Sequence, residues 1–549
     1  MRKRWMIWLV SCLTLVMVLQ PLAAQAKSEK AAAAPMPTLA GSVPGSDGGD
    51  ISVMGSVGSQ PGGSPGSWYV GATPPNVNYS KPVLLFVHGK GGWAGVWWGD
   101  TVYHGVNDMY NYAYNNGYRT AFVDLYPNKD MWVNGQLLSS LLNSITSYFG
   151  VNTVDIVAHS KGGVDSDAAL YYYGANAKVR RVITLGTPHW GTPIADMAYS
   201  SWTGWIASLM GEKNDATYVM QTGYMSNFRA GVNELATSPF YTLSGYKCGP
   251  VFTALWTSCA FISGEDDGLV SVSSARRPSS THLKEGYWDH DEIRMGSRTW
   301  SWFAPVIKTA SVPSAIAVGD LLAAASKSKT DAGFGSNQPA APGNVILRGG
   351  STAEGAPPAF PLESGVRSAT FTFMATSEDF AAGLKGPNGE NITITMQEQM
   401  GSEGLFPGAW VGTATVKSPA AGAWSVDATA SRETGWFLIT ELDSDLQATL
   451  DLSSEVSAPS ANRGLAVGFT GVSPSSSRAE VVLSGKDRAP AGRAAFAAAA
   501  GKLQATVVPG RAGVYTVTVT VTGALEDGSE FERVLTASFA AGAPGQKFE

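Results

Sequence analysis

Ten residues constrain this chain more than any others: Val154-Asp155-Ile156-Val157-Ala158-His159-Ser160-Lys161-Gly162-Gly163. The apolar run Val154 to Ala158 suits a central strand of a parallel sheet. Ala-x-Ser-x-Gly follows, and Val164 to Tyr173 continues as a helix. A sharp strand-to-helix turn of this form holds a serine hydroxyl out of the fold. Small residues flank the serine because a larger side chain at Ala158 or Gly162 would meet neighbouring backbone. The pattern needs its context. Gly62-Gly63-Ser64-Pro65-Gly66 also fits Gly-x-Ser-x-Gly. Ser64 has no strand before it and no helix after it, and reads as a chance match in a linker.

The 549 residues are too many for one ordinary domain. Residues 1–26 have the parts of a secretory signal peptide: a basic start at Arg2, Lys3 and Arg4, an apolar run, and Ala24-Gln25-Ala26 for cleavage. The expectation is a secreted, extracellular protein. Removing the signal takes away three cations and no acid, moving the formal charge from −6 to −9. The mature chain has no basic tract, which argues against nucleic acid as a partner, and no later stretch suits a transmembrane span. Cys248 and Cys259 are the cysteines left after cleavage. In an exported protein such a pair reads most simply as a disulfide, with two buried free thiols as the alternative. Closing so short a loop stabilises by roughly 3 kcal/mol in the chain-entropy model.

Residues 27–66, rich in Ala, Gly, Pro and Ser, read as a flexible lead-in. From 67 to 309 strand and helix patterns alternate. Strands fall at Pro82 to His88, Arg119 to Leu125, Val179 to Leu185 and Ala260 to Ser263, and helices at Asp108 to Asn115 and Gly135 to Tyr148. Alternation of this kind predicts an α/β domain with a mostly parallel sheet covered on both faces. Residues 310–342 read as a linker. Beyond it lie short alternating strands, among them Ala369 to Phe373, Ala409 to Val416 and Val514 to Val521, with an Ala-rich helix-like patch near Ala494. They read as two Ig-like β-sandwich modules, 343–455 and 456–545.

A serine hydroxyl is a weak nucleophile and needs a base, normally a His oriented by a carboxylate. In the strand–turn–helix setting the chain order is Ser, acid, His. Of six histidines, His88, His104 and His159 precede or adjoin Ser160, and His189 precedes the plausible acids. His282 falls inside the expected last strand. His290 lies beyond it in the polar run Tyr287-Trp288-Asp289-His290-Asp291-Glu292, and is preferred over His282. Glu265, Asp266 and Asp267 are the candidate acids. Asp267 is favoured, with Asp266 next, because a glycine follows it and permits a tight turn. Donors for a developing oxyanion are also needed. The backbone N–H groups of Lys90, in His88-Gly89-Lys90-Gly91-Gly92, and of Lys161 are the expected pair. A phosphate cradle is disfavoured, since the loop lacks the Gly-Lys-Ser/Thr ending of a P-loop.

His88 to Gly92, Ala158 to Gly163, Thr187-Pro188-His189-Trp190-Gly191-Thr192, Asp267 to Val270 and Trp288 to Glu292 resemble, in this order, the motifs of secreted bacterial lipases and carboxylesterases. The likeness is to both the small Bacillus-type and the Pseudomonas-type lipases of the α/β-hydrolase superfamily. It covers about residues 80–305. It implies a Ser-His-Asp carboxylic ester hydrolase with Ser160 as nucleophile, Asp267 as acid, His290 as base, and Lys90 and Lys161 at the oxyanion. No cofactor is required by this reading. Pseudomonas-type lipases carry calcium near the catalytic His, and Asp291 and Glu292 lie in that neighbourhood, one position off the family spacing.

Trp93, Trp97, Trp98 and Trp190 read equally as cleft lining or core. Ala198 to Met210 reads equally as a lid or a packed helix. The leading expectation is a secreted, monomeric lipase or esterase acting on an ester or lipid, in solution or at an interface. An extracellular polyester (polyhydroxyalkanoate-like) depolymerase is the second. A surface-binding protein with a vestigial hydrolase domain is the alternative from another class.

Overall fold

In the computed structural model the described residues are 33–44, 64–308 and 342–548, apart from 205–206, 208–210, 252, 356, 400–407, 453–457, 487–489 and 500–501. The signal-peptide segment, most of the lead-in and residues 310–341 of the linker lie outside them.

The first part is built on one eight-stranded sheet, ordered β1-β2-β4-β3-β5-β6-β7-β8. Its strands are β1 (Thr38–Ser42), β2 (Ser67–Val70), β3 (Leu84–Val87), β4 (Thr120–Val123), β5 (Val154–His159), β6 (Val179–Leu185), β7 (Phe240–Gly245) and β8 (Thr281–Gly286). β1 and β2 pair antiparallel, and β4, β3, β5, β6, β7 and β8 run parallel. The apolar run expected at Val154 is thus a central strand, buried along its whole length. Two readings change. Thr38–Ser42, inside the expected flexible lead-in, pairs with β2. Ala260 to Ser263 is a turn following a helix at Ala254–Cys259, and Phe240–Gly245 is the strand that precedes the acids. Three apolar residues cannot by themselves distinguish a strand from the end of a buried helix.

Helix α1 spans Met109–Asn115 and α2 spans Met131–Phe149. The Asp130 carboxylate caps α2 by accepting from Trp132 N and Val133 N at 2.9 Å. Its apolar face (Leu137, Leu138, Leu141, Leu142, Ile145) packs on the sheet with Val83, Leu85, Val123 and Ile156. Helix α3 spans Lys161–Tyr172. Helices α4 (Pro193–Ala198), α5 (Asp215–Val219) and α6 (Thr222–Gly231) lie between β6 and β7, α7 is Ala254–Cys259, and α8 is Gly296–Ile307. No helix among the described residues is long and apolar enough to cross a membrane.

The C-terminal region holds four antiparallel sheets in two pairs. β10 (Phe360–Leu362), β16 (Gly422–Thr429), β12 (Ala381–Lys385) and β13 (Asn391–Ile394) form one sheet, and β14 (Gln397–Glu398), β15 (Trp410–Lys417), β11 (Ser368–Ala375), β17 (Gly435–Asp443) and β9 (Val345–Ser351) another; they share a core around Phe371, Phe373, Trp424, Trp436 and Leu438. β18 (Leu446–Leu452), β19 (Arg463–Gly471), β23 (Lys502–Val507) and β22 (Ala497–Ala499) form a third sheet, and β21 (Pro490–Ala495), β20 (Ser476–Ser484), β24 (Gly513–Ala524) and β25 (Glu530–Ala541) a fourth; they share a core around Val467, Val481, Val517, Val519 and Leu535. Leu446–Leu452, within the first module by sequence, pairs with Arg463–Gly471 of the second pair. The Ala-rich patch near Ala494 is a strand, Pro490–Ala495, not a helix. Buried ion pairs tie the two pairs together. Arg348 grips Glu532 at 2.6 and 2.8 Å, and Arg533 pairs with Glu363.

Strands β9 (Val345–Ser351), β11 (Ser368–Ala375) and β17 (Gly435–Asp443) have apolar residues on both faces. One face fills their own core. The other, with Val345, Leu347, Met374, Phe437 and Ile439, packs on Ala260, Phe261 and Ile262 of the first part. Val534 and Ala540 of β25 (Glu530–Ala541) join the same layer, and β25 lies against α4 and α6.

Within this contact Asp196 of α4 is fully buried. It accepts from Thr222 N (3.0 Å), Thr222 Oγ1 (2.6 Å) and Ser538 Oγ (2.5 Å). Burial pushes its carboxyl up to about 7, against the three hydrogen bonds. A carboxyl raised in the folded state contributes most when protonated, so stability falls as pH rises from about 4 to 7. The span is about three units, each worth about 1.4 kcal/mol. Chemical denaturation of the full chain at pH 5 and pH 8 should show the part of this loss that falls above pH 5, and Asp196→Asn should make the difference smaller.

Candidate active site

Ser160 sits between β5 and α3 with φ 51° and ψ −133°, a strained conformation for a residue with a side chain. Tight packing holds it. A Cβ on Gly162 would lie 2.3 Å from the His88 carbonyl oxygen, and one on Gly89 would lie 2.7 Å from Ser160 Cβ. Only glycine lets the two turns approach this closely. Ser160 N–H donates to Leu185 O at 3.0 Å, and Thr187 Oγ1 donates to Ser160 O at 2.8 Å. Ser64 lies elsewhere, its carbonyl accepting from Ser67 N at the start of β2.

The glycine-rich turn after β3 is shaped by His88. Its Nε2 accepts from Leu125 N at 2.9 Å and its Nδ1 donates to Gly89 O at 2.7 Å. Burial pushes this imidazole down to about 4, so it stays neutral. Gly91 N–H donates to Pro127 O. Lys90 follows Gly89 directly and sends its side chain to Glu212 at 2.7 Å. Lys161 is the first residue of α3. Its side chain is buried against Asp165 at 2.6 Å, and Asn134 Nδ2 donates to the other Asp165 oxygen at 3.0 Å. Burial raises the Asp165 carboxyl to about 6. The backbone positions of Lys90 and Lys161 therefore lie on two turns in mutual contact around Ser160.

Asp267 and His290 are fully buried, and Oδ2 lies 2.9 Å from Nδ1. The other carboxylate oxygen accepts from Leu269 N (3.1 Å) and Val270 N (2.8 Å), which aims Oδ2 at the ring. Gly268, at φ 98°, makes that turn possible. His290 N–H donates to Asp267 O at 2.8 Å. Asp266 faces away, with Oδ1 accepting from Gly268 N at 2.8 Å and lying 3.0 Å from Cys259 Sγ. Burial raises its carboxyl to about 7. Cys248 and Cys259 form a disulfide, with Cα atoms 6.1 Å apart, just before the acid loop.

His282 stays within β8, bonded to Thr242 at 2.9 Å, and His189 is buried beside Thr184. Trp97 and Trp98 pack on Phe86 and Phe122, and Trp190 is buried with Nε1 donating to Arg276 O. All three are packing residues. Trp202 lies against the apolar layer under the C-terminal sheets, with the Arg348 guanidinium 6.0 Å above its ring.

Two histidines set aside by chain order are neighbours of this site. His159 Nε2 lies 2.9 Å from His290 O. His104 Nε2 lies 2.8 Å from Asp289 Oδ2. Chain order bears on which histidine could follow the acid, and it carries no information about which others lie beside it. Asp289 and Glu292 also share Lys247, at 3.4 and 2.5 Å, Glu292 meets Arg298, and Asp291 pairs with Arg294. The carboxylates considered for calcium thus face protein cations. Burial pushes the Asp289 carboxyl up, and the bonds and charges of His104 and Lys247 more than offset this, holding it below its ordinary value.

Burial lowers the His104 imidazole, but Asp289, Glu292 and Asp291 outweigh it and raise it above 6.5. A raised His contributes fully below its unfolded value, and the contribution is lost as pH rises through the folded one. His104→Asn should therefore lower Tm more at pH 5.5 than at pH 9, as calorimetry would read.

No protein-family model matches the chain, and no curated protein does. Solved structures do. Bacillus licheniformis lipase BlEst2 in propeptide form is 30% identical, over 89% of this chain and 100% of that one, with TM-score 0.68. The same lipase in mature form is 43% identical, over 45% of this chain and 99% of that one, with TM-score 0.41. With its parallel sheet, its strained serine turn and a relative aligned over that relative's whole length, this chain belongs to the bacterial lipases and esterases of the α/β-hydrolase superfamily.

Proposed function

We propose that the protein is a secreted serine carboxylic ester hydrolase that works through an acyl-serine intermediate. The observation that carries this is Asp267 aimed at His290 Nδ1 in a chain whose only strained strand-to-helix serine is Ser160 among the described residues. Ser160 Oγ attacks the ester carbonyl carbon while His290 Nε2 takes its proton. Asp267 holds the ring and stabilises the imidazolium. The Lys90 and Lys161 N–H groups receive the oxyanion. The alcohol leaves with the proton from His290, and water, activated by the same base, releases the acid. Loss of one oxyanion donor typically costs on the order of 10²–10³ in turnover. The disulfide is consistent with export.

A second observation concerns the C-terminal β region. Its apolar second face covers Ala260, Phe261 and Ile262, six residues or fewer before the Asp266-Asp267 pair, and reaches Trp202. The lipase that aligns over its whole length is in a propeptide form. We read this region as a propeptide that keeps long-chain or interfacial esters from Ser160, which is itself half-buried. The competing reading is a depolymerase whose β region holds solid polyester.

Hydrolysis of p-nitrophenyl butyrate by the full chain should fall by at least about 10⁴ in Ser160→Ala. Equal inertness of both proteins would reject the enzyme reading. Proteolytic removal of residues after about 340 should raise triolein hydrolysis at least about tenfold if the region is a propeptide. A fall in release from polyester film, with triolein unchanged, would favour the depolymerase.

A further inference from the structure

We propose that His159 is a positioning residue for the reaction: it tethers the main chain of the base, His290, to the strand that carries the nucleophile. This rests on the reading of Ser160 as nucleophile and His290 as base.

His159 is the last residue of β5, next to Ser160, and its side chain is buried. Its Nε2 lies 2.9 Å from the His290 carbonyl oxygen. A carbonyl only accepts, so Nε2 must carry a proton and donate. Burial, followed by the nearby His290 and Arg294, holds the imidazole well below its ordinary range, so the ring is neutral with that one proton. The two rings lie 4.7 Å apart, tilted by 47°. His290 N–H is meanwhile held by Asp267 O at 2.8 Å. Both main-chain polar groups of the base are therefore fixed, one to the acid and one to the residue beside the nucleophile. The Asp267 carboxylate fixes Nδ1.

The consequence is geometric. Ser160 and His290 lie 130 residues apart in the chain, and His290 sits in a loop after β8. A loop alone places a side chain less well than a strand does. The His159 bond refers the loop to β5, so the nucleophile and the backbone of its base are set by adjacent residues. Misplacement of reacting groups by about 1 Å can cost 10²-fold in rate. A neutral tether also adds no positive charge beside His290 when His290 becomes an imidazolium.

The test uses the full chain with p-nitrophenyl acetate. Wild type against Ser160→Ala checks the underlying reading by itself. His159→Leu removes the donor and keeps the bulk, and His159→Gln restores an N–H at similar reach. His159→Leu should lose about 10- to 100-fold in kcat with KM within about twofold, and fluorophosphonate labelling of Ser160 should slow in parallel. The acid limb of its kcat/KM profile should shift from that of wild type. His159→Gln should recover to within about fivefold, with its limb restored. The proposal is overturned if folded His159→Leu keeps kcat within twofold, or if His159→Gln is as slow as His159→Leu. Should His159→Leu fail to fold, His159→Gln is compared with His159→Asn, whose donor is shorter. Equal kcat for those two would also overturn it.

Discussion

The contact between two turns governs this molecule. One follows β3 and the other follows β5, and they meet where Gly162 faces the His88 carbonyl and Gly89 faces Ser160. Everything that chemistry requires here depends on that approach. It forces Ser160 into positive φ, which lifts the hydroxyl off the end of the strand. It also brings the backbone of Lys90 and Lys161 to the same point. The strain costs on the order of 1–3 kcal/mol. Bonds from Thr187 to Ser160 O and from Ser160 N to Leu185 O, together with a fully buried β5, hold the conformation in place.

The buried groups around the site divide by whether they carry charge. His88 and His159 are neutral through burial, so each can accept or donate at a chosen nitrogen. Around the His290 loop the reverse holds. Asp289, Asp291 and Glu292 are matched by His104, Lys247, Arg294 and Arg298. The loop is held by ion pairs outside and by neutral hydrogen bonds inside. Beside Ser160 and His290 the buried charges include Asp267 and the Lys161–Asp165 ion pair.

How much of this was legible in the sequence follows from the range of each interaction. The elbow was legible because strand, turn glycine and helix are contiguous in the chain. That Asp267, and not Asp266, meets His290 was legible from Gly268, whose φ of 98° the turn requires. That His290, and not His282, pairs with this carboxylate followed from chain order. The strand before the acids was misplaced because helix α7 intervenes, and its short apolar end, Ala260 to Ile262, has no period to read. β1 was missed because a strand of Thr-Leu-Ala-Gly-Ser inside a Gly/Pro/Ser-rich stretch gains its place only by pairing with β2. His104 and His159 were passed over because their value lies in contacts more than 130 residues away.

The C-terminal strands carried a signal of another kind. Gly435-Trp436-Phe437-Leu438-Ile439 is apolar at both alternate sets of positions, and so is Val345-Ile346-Leu347. A strand of a free-standing sandwich faces solvent on one side and alternates. These strands do not, because Trp436 and Leu438 fill the sandwich while Phe437 and Ile439 meet Phe261 and its neighbours. Apolar surface on the outer face is unfavourable in water, so the region is built to be docked. The docking layer reaches Phe261, whose ring lies 6.3 Å from that of Phe437, and the acid loop begins four residues later. The Cys248–Cys259 link and this apolar layer both flank the segment that carries Asp267. Undocking would leave the acid loop resting on its turn, the disulfide and its bonds to Thr192 and His290. The disulfide ties that segment back to the residues just after β7, so it supplies a restraint that does not depend on the docked sheets.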